Sequence, residues 1–270
     1  FRGSKQISKI TEVLVPFLGI FYLAVALFVT VTHYTLIPRM FSDIFSNAFD
    51  LQAIFGGFTG SCVMNGIKRG LFSNEAGVGS APNAAASASV SHPVKQGLVQ
   101  MLSVFIDTIL ICTATACLLL CSGVAPSEEL KGMPWVQAAA SESLGSFGTV
   151  FITVALCLFA FTTLIGNFYY AEMGLKYLCG KTPGKALLNL FRVIASLIVL
   201  AGAVMEFGLV WSTADVLMGF MALINLPVIL ILGGTAVRCM QDYVKQKKEG
   251  KDPVFKASDI ELKDKNDFWN

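Results

Sequence analysis

The residues that could do chemistry here are polar groups set inside long apolar runs. Asp107 is the one charged side chain in the stretch Leu98–Cys121. A carboxylate at membrane depth is costly and marks an ion or proton path by default. Pairing inside a bundle, with Thr108 or Thr113 as partner, explains it equally well. A second feature is glycine. Gly56, Gly57, Gly60, Gly66 and Gly70 interrupt an otherwise uncharged segment, and each glycine weakens a helix by about 1 kcal/mol relative to alanine. One reading is a broken helix whose free N–H groups meet a carboxylate and whose free carbonyls meet a cation. The other is close helix packing through small residues four apart. A third feature is the single carboxylate Glu75 within a run rich in Gly, Ala and Ser. Small residues let backbones approach and slide, which suits a gate; a packed loop with no moving role is the alternative. This run is no phosphate loop, because Gly79 is followed by Ser80-Ala81 and no strand precedes it.

Enzyme chemistry finds little support. The only histidines are His33 and His92, and no paired catalytic carboxylates occur. An enzyme site needs such groups to converge. The 7 cysteines are odd in number and lack paired-ligand spacing, which argues against disulfides or a zinc site and for inert buried thiols. Nothing indicates nucleic-acid binding.

The elements that must position these residues are membrane helices. The chain is 54% hydrophobic and 14% charged, against about 25% charged in soluble domains. Six apolar segments stand out: Val13–Leu36, Leu51–Ile67, Leu98–Cys121, Phe147 to about Ala171, Leu187–Val204 and Val210–Gly234. A helix crosses a hydrocarbon core of about 30 Å with roughly 20 such residues, and lipid obliges each segment to satisfy its own backbone. The fold class expected is all-α integral membrane, with a transmembrane domain over 1–235 and a polar cytoplasmic tail over 236–270, frayed or partly ordered.

The distribution of Lys and Arg orients the chain. With a cytoplasmic N-terminus and six crossings, all of the 20 basic residues except Arg39 and Lys131 face inward. Both ends are then cytoplasmic. Ile37–Asp50 and Ser122–Ser146 become outer loops, the latter with a short helix Trp135–Ser143. Lys68-Arg69 and the Gly/Ala/Ser run fall on the cytoplasmic side. Asp215 reads as a carboxylate in the first turn of the last helix, stabilising its N-terminus. Arg192 snorkels, Glu172 marks the inner boundary, and Trp211, Tyr169 and Tyr170 fit interfacial belts. Phe1 stands where Met would begin a chain, within a polar stretch lacking a signal-peptide core. A piece of a longer protein is expected.

The string GLFSNEAGVGSAPNAAASA over Gly70–Ala88 resembles the signature of the sodium:alanine (amino acid carrier) symporter family. Similar stretches are GGFTG at Gly56–Gly60, HPVKQG at His92–Gly97, VFIDT at Val104–Thr108, FAFTT at Phe159–Thr163 and YYAE at Tyr169–Glu172. The similarity runs from about Thr11 to about Gly234; Val78 and Asn83 depart from the residues most common in the family. It implies a leucine-transporter-like bundle of two inverted five-helix repeats, of which this chain holds the last helix of the first and all of the second.

On that resemblance, Gly56, Gly57, Phe58 and Gly60 form part of an amino-acid site. Asn74, Glu75, Gly77, Gly79 and Ser80 form the signature and gate. Thr162 and Thr163 offer hydroxyl oxygens to sodium. Oxygen ligands suit a hard cation; the plainer reading of a Thr pair is bonding back onto its own helix. The implied activity is sodium-driven uptake of a small neutral amino acid, alanine or glycine, with no cofactor beyond the coupling ion and with the lipid bilayer as surroundings. Proton coupling through Asp107, or a non-transporting membrane subunit, are the rival readings. Without the first repeat, the chain by itself is expected to hold half a site and not to transport.

Overall fold

In the computed structural model, residues 4–48, 58–127, 130, 132–180 and 183–260 are described. Among them there is no strand. The elements are α1 (Ser4–Thr32), a 3-10 turn (Tyr34–Leu36), α2 (Ile37–Ala48), α3 (Phe58–Phe72), α4 (Ala81–Ala85), α5 (Pro93–Phe105), a π-helical turn (Ile106–Ile111), α6 (Cys112–Cys121), α7 (Met133–Leu144), α8 (Ser146–Cys179), α9 (Lys185–Val204), α10 (Phe207–Lys248) and a final 3-10 turn (Ala257–Ile260).

Among the described residues, five stretches are long and apolar enough to cross a membrane: Glu12–Thr32, Pro93–Cys121, Ser146–Cys179, Lys185–Val204 and Phe207–Lys248. They correspond to the first, third, fourth, fifth and sixth segments expected from sequence. The second segment lies partly outside the described residues. Its described part, α3, is a 15-residue helix that continues five residues beyond Ile67.

The chain divides into two compact units. The first comprises Phe1–Lys68 and Ile106–Tyr169 and is organised by an apolar core. Tyr22, Val25, Ala26 and Val29 of α1 lie three and four residues apart, so they share one helical face. They meet Leu118 of α6, Val136, Ala139 and Ala140 of α7, and Phe151, Ile152 and Ala155 of α8. Phe17, Ile20, Leu27, Phe28 and Val31, elsewhere on α1, are exposed. Apolar exposure of this kind suits lipid and would be a liability in water. The α7–α8 corner turns at Gly145, whose φ is +61°. There Gly148 lies so close to the Ala140 carbonyl that a Cβ would collide with it. The helix expected over Trp135–Ser143 is α7, one or two residues longer at each end. α2 occupies the segment read as the first outer loop, with its Met40 sulfur 3.7 Å from the Cys121 thiol.

The second unit comprises Arg69–Phe105 and Tyr170–Asn270. It buries little apolar surface, and no residue of α9 is buried. Polar contacts organise it instead. α10 has 42 residues, and at about 1.5 Å per residue it is longer than a bilayer core requires. Its last turns lie in the stretch read from sequence as tail. There the chain returns along the helix. Gln246 donates to the Val254 carbonyl at 3.0 Å and accepts from the Val254 N–H at 3.0 Å. The Phe255 N–H donates to the Ser91 carbonyl at 2.9 Å, and Arg238 donates to the Ile260 carbonyl at 3.2 Å. Phe255, Ala257 and Ile260 are buried. Up to Ile260 the polar stretch is thus folded onto its own unit.

Candidate functional site

The signature stretch is where regular structure stops. α3 holds Gly60, Gly66 and Gly70 without breaking. Gly56 and Gly57 lie outside the described residues, and Phe58 and Gly60 are described by their helical backbone. The interruption among the described residues comes later, over Ser73–Ser80, between α3 and α4. Gly60, Gly66 and Gly70 therefore sit in continuous helix, while the expected break at Gly56 and Gly57 falls outside the described residues. Helical hydrogen bonding tolerates isolated glycines, and the break falls where the chain takes left-handed conformations instead.

Each signature residue has an assignable part in that break. Asn74 forms an Asx turn, its Oδ1 accepting from the Ala76 N–H at 3.1 Å while its Nδ2 donates to the Gly70 carbonyl at 3.0 Å. Glu75 has φ +60°, an uncommon conformation for a residue with a Cβ. Its carboxylate accepts from Ser80 Oγ at 2.8 Å, and its carbonyl accepts from the Gly79 N–H at 3.0 Å. Gly77 packs on Leu71, where a Cβ would come within 2.8 Å of the side chain and carbonyl. Gly79 has φ +85°, and a Cβ there would stand 2.6 Å from the Asn225 side chain. Val78 between them is buried.

The turn is held by α10. Asn225 donates from Nδ2 to the carbonyls of Ala76 at 3.0 Å and Gly77 at 2.9 Å. Asn225 is the one hydrogen-bonding side chain in Val216–Gly234. The signature stretch, read from sequence as a cytoplasmic segment, thus bonds the middle of an apolar helix. Sequence reasoning missed Asn225; the signal available was a lone amide in an apolar run.

A second link lies nearer the start of α10. Arg69 makes a two-pronged pair with Asp215, at 3.0 and 3.2 Å. Its guanidinium lies 4.7 Å from the centre of the Trp211 ring, which stacks on Phe207. This corrects two expectations. α10 begins at Phe207, so Asp215 lies two turns in, beyond the reach of the helix N-terminus. Arg69 and Asp215, placed near opposite ends of their spans, stand side by side. Trp211 covers the pair as a cation–π partner.

A third link is His92, fully buried. Its Nδ1 accepts from the Val94 N–H at 3.2 Å, so Nε2 carries the proton and faces Asp242 Oδ2 at 3.2 Å. The imidazole sits edge-on to Tyr243 and Phe255. Lys95 adds bonds to Ser91 Oγ at 2.7 Å and Asp252 at 2.6 Å. Elsewhere in this unit Glu172 pairs with Lys176 at 2.8 Å and approaches Arg192 at 3.8 Å. Arg192 therefore has a carboxylate partner as well as a route to the interface.

The remaining candidates lie in the first unit. Asp107 is half-buried in the π-helical turn, a distortion often found at functional sites. Thr162 Oγ1 donates to the Phe159 carbonyl at 2.9 Å; the oxygen keeps lone pairs that could face a cation. Thr163 is exposed. His33 caps its own helix, with Nδ1 3.0 Å from the Val29 carbonyl. Of the described cysteines only Cys121 is buried; Cys112 and Cys157 are exposed, which corrects the expectation of uniformly buried thiols. No cluster of three His, Cys, Asp or Glu suited to a metal occurs among the described residues.

The sodium:alanine symporter family matches the chain over residues 1–257. The chain belongs to that family. It is 44% identical over 260 residues to the amino-acid carrier protein AlsT of Bacillus subtilis, covering 96% of this chain and 55% of AlsT. It is 42% identical over 255 residues to the probable sodium/glutamine symporter GlnT of the same organism, covering 94% and 53%. It is 38% identical over 283 residues to the sodium/proton-dependent alanine carrier protein of Bacillus sp. strain PS3, covering 100% and 63%. The chain thus spans a little over half the length of these relatives. As a member of the sodium:alanine symporter family, with several helices able to cross a membrane, it is a multi-pass helical membrane protein of a transporter family and not of an enzyme family.

Proposed function

We propose that the chain serves, in a carrier of its relatives' length, in sodium-coupled symport of a small neutral amino acid, alanine or glycine, into the cell across the plasma membrane. Family membership carries this reading. The signature turn at Ser73–Ser80, with Glu75 and Gly79 in left-handed conformations, supports a gate there. Gly56, Gly57, Phe58 and Gly60 contribute to the amino-acid site, Thr162 and Thr163 to a sodium site, and Asn74, Glu75, Gly77, Gly79 and Ser80 to a gate that moves as access alternates. Sodium is the only inorganic partner required. Both described ends face the cytoplasm, in keeping with the Lys and Arg residues of the polar tail, and the helices lie in a leucine-transporter-like arrangement.

Proton participation through Asp107 is the second reading. It is favoured by the π-helical turn around that carboxylate and by the sodium/proton dependence in the PS3 carrier's name.

Reconstituted uptake separates these readings. The full-length carrier, in proteoliposomes, is expected to accumulate labelled alanine or glycine only with an inward sodium gradient. Thr162→Ala/Thr163→Ala is expected to abolish uptake. Uptake that ignores sodium, or survives the double substitution, moves the coupling ion elsewhere. Loss in Asp107→Asn together with pH-driven uptake would establish the proton reading.

A further inference from the structure

The stretch from α3 to α5 runs alongside α10 in nearly constant register. Arg69 pairs with Asp215, the Gly77 carbonyl with Asn225, and His92 with Asp242, at sequence separations of 146, 148 and 150. The outer two links are sturdy. One is a two-pronged ion pair under Trp211, and the other a fully buried imidazole with the returning chain closed over it. The middle link lies where both partners are weak. Pro227 is inside α10, two residues beyond Asn225. It has no N–H for the Leu223 carbonyl, and its ring crowds that carbonyl, the usual cause of a bend in a long helix. Opposite it the signature turn has no helical ladder and contains two left-handed residues, Glu75 and Gly79. One amide joins these two weak points. Replacing it with an apolar side chain would leave two carbonyls without their donor.

We infer that Asn225 is a positioning residue that couples a bend of α10 at Pro227 to the signature turn, so that the two flex together as one hinge between the Arg69–Asp215 and His92–Asp242 clamps. The inference rests on the symport reading for its use, since a hinge of this kind sets the rate of alternating access. It does not rest on that reading for its existence.

The test uses the full-length carrier in two assays. In proteoliposomes, Asn225→Leu is expected to lower the maximal rate of sodium-driven alanine uptake about ten-fold, as loss of a part-buried side chain bonded to two carbonyls does. Equilibrium alanine binding and half-saturating sodium should stay within about two-fold, the signature of a lost conformational step rather than a lost contact. Asn225→Gln, which keeps the amide, should recover most of the rate. Asn225→Leu combined with Pro227→Ala should be no slower than the slower single variant, because both act on one hinge. In the second assay, spin labels at Leu209→Cys and Val244→Cys, with native thiols replaced by alanine, report the distance across Pro227. Two populations in the parent should collapse to one in Pro227→Ala.

A wild-type rate in Asn225→Leu, binding that falls in step with rate, or multiplying effects in the double variant would overturn the hinge. So would a single unchanged distance in the parent and in Pro227→Ala. If Asn225→Leu fails to fold, Asn225→Gln and the distance measurement still decide. If the parent shows no sodium-driven uptake, the symport reading fails and the distance measurement alone judges the hinge.

Discussion

The two units solve the same problem by opposite means. In the first, α1, α6, α7 and α8 interlock through small and branched apolar side chains, with Ala26, Val29, Leu118, Ala139 and Ala140 fully buried. In the second, the interior contacts are an ion pair, an amide reaching two carbonyls, and a histidine–carboxylate bond. Close packing is intolerant of small displacements. A few directional polar bonds can be broken and remade as units at modest net cost. The difference teaches where motion is affordable: the apolar unit is suited to act as a frame and the polar unit as the part that rearranges.

The strongest way to break that contrast is to attack the frame. Leu118→Ala removes a fully buried side chain and is expected to cost about 2–5 kcal/mol. A lowered temperature of aggregation in detergent, followed by size-exclusion chromatography, measures it. An unchanged value would mean that the first unit is not held by its core.

Next in size is the Arg69–Asp215 pair. Its arginine is part-exposed, so removing it should cost less than a fully buried pair, about 1–3 kcal/mol. Asp215→Ala and Arg69→Ala should each destabilise the carrier in the same assay, and the exchanged pair Arg69→Asp/Asp215→Arg should restore part of the loss. Additive losses with no restoration would mean the two side chains act independently.

The smallest expected effect is at the returning chain. The Lys95 ammonium beside Asp252 holds that carboxyl below its ordinary range. A carboxylate lowered in this way stabilises the fold above its unfolded pKa and loses that contribution as pH falls through the folded value. Asp252 is at the surface, so the effect is local. Hydrogen-exchange protection at Val254–Ile260, taken relative to the intrinsic exchange rate at each pH, should fall on acidification below the usual carboxylate range and stay constant between pH 6 and 8. In Asp252→Asn that fall should vanish, which sharpens the assignment to this contact.

Much of the fold was legible because it follows from local properties. Apolar runs of spanning length gave five helices where they were expected. The signature string was legible as a family trait. The turn over Ser73–Ser80 was not, because Glu75 adopts a conformation that its residue type disfavours. Asp215 looked like a helix-start carboxylate because the apolar run was taken to begin at Val210. The true start at Phe207 leaves it two turns from the helix end.

What the sequence by itself determined is the solvent this protein lives in, the approximate spans, and the family. These depend on the hydrophobicity of consecutive residues, which the chain carries wherever it goes. The tertiary structure alone decided which polar side chains meet. Arg69 with Asp215, Asn225 with the Ala76 and Gly77 carbonyls, and His92 with Asp242 are joined across about 150 residues. Their pairing is set by the register of α10 against the signature stretch, and no local pattern encodes that register.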